Sequence, residues 1–106
     1  YPVLPSAPGH ALWKKYYTGA CGLFSMQLKP CSHDALEAYF DGLELFGIGF
    51  SWGGFESLMI PCNLAKTRTA TQWPHDGTLI RLHIGLEHAD DLIADLEAAF
   101  KRLKNA

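Results

Sequence analysis

The chain has 106 residues, of which 48% are hydrophobic and 19% are charged, a composition that suits one compact domain with a core of its own. Its 9 basic and 11 acidic residues give a net charge of −2, which leaves no basic surface for a nucleic acid partner. The apolar runs are too short to cross a bilayer and the start lacks a signal-peptide pattern, so we expect a soluble protein without a membrane partner.

The cysteines and histidines predict neither disulfides nor a metal site. The three cysteines, Cys21, Cys31 and Cys62, are an odd number without a C-x-x-C pair. The 5 histidines are dispersed, with no H-x-x-x-H spacing that would place two on one helical face. This pattern is typical of a protein of the reducing cytoplasm.

The first part of the chain is predicted to be a connector. Pro2, Pro5 and Pro8 favour an extended backbone, because proline fixes φ and lacks a backbone donor. The aromatic-rich stretch from Gly9 to Tyr17 could form a short helix whose large side chains would be awkward on a free surface. We therefore divide the chain into a connector with a short helical arm, residues 1–20, and a domain, residues 21–106.

The domain is predicted to contain strands and two amphipathic helices. Apolar residues bounded by glycine and proline indicate strands at 22–28, 45–48, 58–60 and 79–84. Ser32 is a candidate N-cap for a helix over residues 33–44, which Gly47 would stop. An apolar stripe at 3.6-residue spacing predicts the second helix, residues 89–103. These elements predict an α+β sandwich with a mostly antiparallel sheet and both helices packed on one face.

The charges around the last helix have a structural interpretation. Asp90 and Asp91 in its first turn, and Lys101, Arg102 and Lys104 in its last turn, complement the helix dipole. The other nearby acids, Glu87 and Asp95, are interpreted as parts of the helix start and of a solvated face.

The segment from Phe50 to Ser57 contains the glycine pair Gly53-Gly54, which allows unusual backbone geometry and close approach of a ligand. From the residues alone it is also explained by a tight turn between two strands with Trp52 packed in the core. No phosphate-loop spacing is present.

Arg81 lies in an otherwise apolar strand pattern, where a guanidinium needs an anionic partner. That partner could be a ligand, or a carboxylate such as Glu56 or Glu87. Arg81 could also lie on the exposed face of an edge strand. His83 shares its face, and is interpreted as a structural residue rather than a catalyst.

Three segments in this order resemble the end of bacterial cystathionine beta-lyases: residues 45–58 with Ser-Trp-Gly-Gly at 51–54, residues 79–87 with Arg-Leu-His-Ile at 81–84, and residues 90–97. The opening segments 4–10 and 18–25 fit the same family. Related gamma-synthases and gamma-lyases usually have leucine in place of Trp52 and a serine-valine pair after the arginine, so these motifs favour the beta-lyase branch.

The resemblance implies the carboxy-terminal small domain of a fold-type-I enzyme that uses pyridoxal 5'-phosphate. The cofactor lysine and the phosphate-binding residues would belong to a preceding domain, since Lys66 lacks the context of the family's lysine. Arg81 would bind the substrate α-carboxylate, Ser51 would lie beside the catalytic lysine, and Trp52 would complete the carboxylate pocket. Phe50 stands where the family often has tyrosine, so a hydroxyl contact there would be lost.

The resemblance further implies cleavage of L-cystathionine to homocysteine, pyruvate and ammonia in methionine biosynthesis, by a homotetramer. The fragment alone would be inactive, with no catalytic, cofactor-binding or metal-binding residue of its own. Three alternatives stay open: another member of the family, such as a gamma-synthase or gamma-lyase, a stand-alone module that binds a carboxylate or an amino acid, or a subunit-contact domain without a site.

Overall fold

A computed structural model of the chain describes residues 2–64, 68–70 and 77–106. In these ranges the helices are α1 (His10–Tyr16), α2 (His33–Asp41) and α3 (Ala89–Asn105), and the strands are β1 (Leu23–Gln27), β2 (Gly47–Ile48), β3 (Leu58–Cys62) and β4 (Leu79–His83).

The strands form one sheet in the order β1-β4-β3-β2. β4 runs antiparallel to both of its neighbours, with Arg81 opposite Ser25 of β1 and Ile60 of β3. The short strand β2 runs parallel to β3. The predicted mixed fold with a mostly antiparallel sheet is therefore confirmed.

Helices α2 and α3 cover one face of the sheet. Successive strand residues point to opposite faces, so Ile80 and Leu82 share one face of β4, while Arg81 and His83 share the other. Ile80 and Leu82 are buried in one apolar cluster that includes residues of α2 and α3. Each large side chain fully buried in this way stabilises the fold by about 1.5–3 kcal/mol. The predicted packing of both helices on one face is confirmed.

Helix α2 begins as the sequence predicts and ends earlier. The backbone N–H of Ala35 donates to the Ser32 hydroxyl, so the N-cap is confirmed. The helix stops at Asp41 rather than at residue 44, because Arg102 of α3 donates to the carbonyls of Ala38 and Tyr39. Arg102 thus binds the free carbonyls at the end of α2, a role beyond its predicted interaction with the dipole of its own helix.

Asp95 is the clearest correction to the sequence analysis. It is only 8% exposed, and its carboxylate accepts the backbone N–H groups of Glu44, Leu45 and Phe46 at 2.9–3.3 Å. The prediction of a solvated carboxylate is wrong. Since those N–H groups bind a side chain instead of a neighbouring strand, the strand predicted at 45–48 begins only at Gly47.

The short helix α1 lies at the surface and buries none of its residues, and the aromatic side chains of Tyr16 and of Tyr17, which follows the helix, are exposed. None of the helices in the described part of the chain is long and apolar enough to cross a membrane. Within the same residues, no group of three or more histidines, cysteines and acids could hold a metal ion.

Tyr39 gives a prediction of pH dependence. Its side chain is fully buried, and its hydroxyl has no hydrogen-bond partner among the described residues. Burial first, and then the charge of Asp95, raises the pKa of Tyr39 to about 12. Because unfolded tyrosine ionises near pH 10, folding stability should be intact below about pH 10 and fall as the pH rises towards 12.

We therefore expect Tyr39→Phe to raise the free energy of unfolding by about 1 kcal/mol at neutral pH, because it removes an unsatisfied buried hydroxyl. It should also reduce the alkaline loss of stability. Urea denaturation at neutral pH and at about pH 11 measures both effects. A clear loss of stability at neutral pH would show instead that the hydroxyl has a partner.

Candidate functional site

The predicted ligand-binding turn is a loop of residues 49–57, here called the glycine loop, that joins β2 to β3. These strands are parallel, so the loop runs from the last residue of β2 back along the sheet to the first residue of β3. It is therefore not a hairpin. Trp52 is 62% exposed. The interpretation as a tight turn with a core tryptophan is therefore wrong. Gly53 has φ of 87°, a conformation that favours glycine, whereas the φ of Gly54 is not positive.

Arg81 brings the start of the glycine loop against the sheet. Its guanidinium donates a hydrogen bond from Nη2 to the carbonyl oxygen of Phe50, and the side chain is half-buried. A guanidinium has five N–H donors, so this contact leaves several for another acceptor.

The structural alternatives considered for Arg81 are not supported. β4 lies between two other strands and is not an edge strand. In the described ranges, the ion pair found is His33 with Glu37, and none joins Arg81 to Glu56 or Glu87. The guanidinium therefore lies on an inner strand without a carboxylate partner in that part of the chain.

His83 contacts the middle of the glycine loop. Its Nε2 atom lies 3.1 Å from the Gly54 carbonyl oxygen and 3.2 Å from the Gly53 nitrogen. Nε2 cannot donate and accept at once, so the tautomer decides which of the two hydrogen bonds forms. In either tautomer the imidazole binds the backbone of the glycine pair. The predicted structural role of His83 stays a prediction, and the loop backbone is its partner.

The segment after β4 approaches the loop closely at Gly85. The N–H of Leu86 donates to the carbonyl of Phe55 at 2.8 Å. A Cβ added to Gly85 would lie 2.2 Å from that same carbonyl oxygen, so any larger residue would push the two segments apart. Glycine at position 85 thus permits the backbone contact.

Glu87 and Ser57 form a hydrogen-bonded pair at the end of the loop. The Ser57 hydroxyl donates to Glu87 Oε2 at 2.7 Å, and the Ser57 backbone N–H donates to Oε1 at 3.2 Å. The same hydroxyl accepts the N–H of Gly85 at 2.8 Å. The hydroxyl contact first, and then the backbone contact, holds the pKa of Glu87 below its ordinary value. Glu87 is therefore not part of the helix start; His88 caps α3.

The predicted site residues lie together in part. Phe50, Ser51 and Trp52 are consecutive in the loop, and Arg81 is hydrogen-bonded to the first of them. The side chains of all three loop residues are exposed. The site as described thus combines the guanidinium of Arg81 with an exposed hydroxyl and an exposed indole on the adjoining part of the loop.

The described lysines lie on other elements than this site. Lys14 and Lys15 are on α1, Lys29 follows β1, and Lys101 and Lys104 are on α3. Lys66, which the sequence analysis considered, and His75 lie outside the described residues. The described part of the site therefore contributes no lysine for a pyridoxal phosphate.

The partners of the glycine loop come from β4 and from the segment that follows it. Arg81 and His83 lie on one face of β4 and contact the loop backbone, while Gly85 and Glu87, beyond the end of the strand, contact Ser57. The shared face of Arg81 and His83 was predictable from the period of two. The contacts of Gly85 and Glu87 were not, because the chain leaves the strand after His83 and bends at residues 86 and 87.

Comparison with known proteins agrees with the fold and the motifs. The sequence matches the family described as "Cys/Met metabolism PLP-dependent enzyme" over residues 1–101. The chain belongs to this family. The enzymes of the family depend on pyridoxal phosphate, as the resemblance predicted.

Individual relatives differ in their reactions. The chain is 50% identical to a cystathionine beta-lyase of Salmonella typhimurium over 107 aligned positions, which cover 97% of the chain and 27% of that enzyme. It is 44% identical to an L-alanine/L-glutamate racemase of Wolbachia pipientis, covering 97% of the chain and 26% of the racemase. The chain thus spans about a quarter of the length of these relatives.

Among solved structures, the cystathionine gamma synthase of Xanthomonas oryzae, in complex with cystathionine, matches with a TM-score of 0.75 and 34% identity. The match covers 99% of this chain and 28% of that one. The comparisons therefore show the family and the fold of the chain.

Proposed function

We propose that the chain is the carboxy-terminal domain of a pyridoxal-phosphate-dependent carbon-sulfur lyase that cleaves L-cystathionine to homocysteine, pyruvate and ammonia in methionine biosynthesis. The observation that carries the proposal is the half-buried Arg81, held next to the Ser51-Trp52 segment through the Phe50 carbonyl. The 50% identity to a cystathionine beta-lyase supports the choice of reaction.

We propose the domain organisation that the resemblance to cystathionine beta-lyases implies. Residues 1–20 connect the domain 21–106 to a preceding domain that carries the cofactor and its lysine. The tetramer and the cytoplasmic location are further parts of the proposal.

The proposed role of this chain is to bind and orient the substrate. Arg81 binds the α-carboxylate through two parallel N–H donors, which orients the bond to be broken. Trp52 completes the carboxylate pocket, and Ser51 lies beside the catalytic lysine that the preceding domain supplies. The cofactor, when bound by the rest of the protein, supplies the electron sink that makes the α-proton acidic and the carbon-sulfur bond labile.

The products formed from L-cystathionine test this proposal. Cleavage of the Cβ–S bond, with uptake of water, gives homocysteine, pyruvate and ammonia. The full-length protein that carries this chain, supplied with pyridoxal phosphate, should therefore form pyruvate and homocysteine in equal amounts. The 106-residue chain alone should form neither, and serves as the control.

A gamma-lyase is the second candidate, because the chain is also 40% identical to a cystathionine gamma-lyase of Sus scrofa. Cleavage of the Cγ–S bond would give cysteine, 2-oxobutanoate and ammonia, so finding 2-oxobutanoate in place of pyruvate would reject the beta-lyase assignment. Racemisation of alanine without cleavage of cystathionine would point to the racemase reaction instead. Binding of an amino acid without any product would favour the stand-alone binding module.

A further inference from the structure

Beyond the proposed substrate clamp, the glycine loop is fastened to the sheet at both of its ends by the segment that begins at Arg81. Arg81 holds the first end through the carbonyl of Phe50, and Glu87 holds the last end through Ser57. We propose that Glu87 and Ser57 are positioning residues, which hold Ser51 and Trp52 in register with the Arg81 guanidinium and thereby set the recognition of the substrate carboxylate. This inference rests on the proposed function.

The contact between Glu87 and Ser57 fixes the last residue of the loop through two hydrogen bonds. Ser57 is completely buried, and both of its donors, the N–H and the hydroxyl, bind the two oxygens of one carboxylate. The hydroxyl also accepts the Gly85 N–H, and the Ser57 carbonyl accepts the Gly47 N–H at 3.0 Å. Every hydrogen-bonding group of Ser57 is thus used, and charge-assisted bonds of this kind are stronger than neutral ones.

The positions of Arg81 and of the loop residues Ser51 and Trp52 are determined by different contacts. The backbone of Arg81 is fixed by the sheet, where it lies opposite Ser25 and Ile60. The side chains of Ser51 and Trp52 are exposed, so their positions relative to Arg81 depend on how the loop backbone is held. Loss of the Glu87 contact should let the loop shift while Arg81 stays in place. The expected defect is therefore in carboxylate recognition and not in the fold as a whole.

The test compares two ligands that differ only in the carboxylate, L-alanine and ethylamine. Their dissociation constants are measured from the spectral change of the cofactor in the full-length protein. The ratio of the ethylamine constant to the L-alanine constant reports carboxylate recognition alone. We expect a ratio of at least about a hundred in the wild type and a value near one in Arg81→Ala.

Glu87→Ala should lower this ratio about tenfold, as the loss of one net charge-assisted hydrogen bond implies, with little change in the affinity for ethylamine. Glu87→Gln should keep the ratio within about threefold of the wild type, because the amide can still accept from the Ser57 N–H and donate to its hydroxyl. Glu97→Gln, which removes an exposed carboxylate of α3, is the matched control and should leave the ratio unchanged.

Three outcomes are decisive. A wild-type ratio that falls in Arg81→Ala but not in Glu87→Ala would overturn the positioning role. A wild type that gives no cofactor signal, or does not prefer L-alanine, would reject the proposed function instead. Should Glu87→Ala fail to fold, Ser57→Ala carries the same comparison. It removes the hydroxyl contact to Glu87 and the one to Gly85, and an unchanged ratio in this variant would also overturn the proposal.

Discussion

In the full-length protein, Arg81→Ala is expected to lower kcat/KM for L-cystathionine by at least about a hundredfold. A bidentate, charge-assisted contact to the α-carboxylate is worth on the order of 3 kcal/mol, whereas loss of an exposed surface charge is nearly silent. The variant also loses the hydrogen bond to the Phe50 carbonyl, which acts in the same direction. Steady-state kinetics with L-cystathionine measure the effect.

Two further variants separate binding from folding. Arg81→Lys should recover only part of the rate, since lysine keeps the charge but loses the planar fork. Lys101→Ala, on the exposed side of α3, removes one positive charge far from the loop in sequence and should be neutral. Near-normal kcat/KM in Arg81→Ala would eliminate the carboxylate assignment. A loss that only follows the fraction of unfolded protein or the loss of cofactor would make Arg81 a structural residue.

The second large effect is expected for Asp95→Ala, which should lower the free energy of unfolding of the chain by on the order of 3 kcal/mol. The substitution removes one acceptor for the N–H groups of Glu44, Leu45 and Phe46, and the last of these is buried. Urea denaturation of the purified chain measures the free energy of unfolding. The slope of this free energy against urea concentration is compared between the variants.

Asp91→Ala is the matched control, because this carboxylate lies one turn earlier on the same helix and is exposed. It should cost no more than about 1 kcal/mol, the usual size of a helix-dipole interaction. Asp95→Asn should be intermediate, since the amide keeps one acceptor oxygen but brings an N–H₂ group towards backbone donors. Equal effects of Asp91→Ala and Asp95→Ala would show that Asp95 does not hold the 44–46 backbone.

The elements themselves were largely predictable from local patterns. Alternation marked β4, and the 3.6-residue stripe marked α3, because burial of one face leaves a periodic signal in the sequence. Ser32 marked the start of α2 through a contact only three residues away. The last residue of α2 and the first residue of β2 were not predictable, because Arg102 and Asp95 bind the backbone next to them from more than 45 residues away.

By itself the sequence determined the family, through motifs that lie in a fixed order, and it singled out Arg81 as a charge in an apolar strand. Only the tertiary structure decided that Asp95 is buried, that the glycine loop joins parallel strands, and that Glu87 binds Ser57. The physical reason is that a carboxylate carries the same sequence signal whether its hydrogen bonds come from water or from a distant backbone N–H, which donates to it. Which of the two it meets is settled by the packing of segments far apart in the chain.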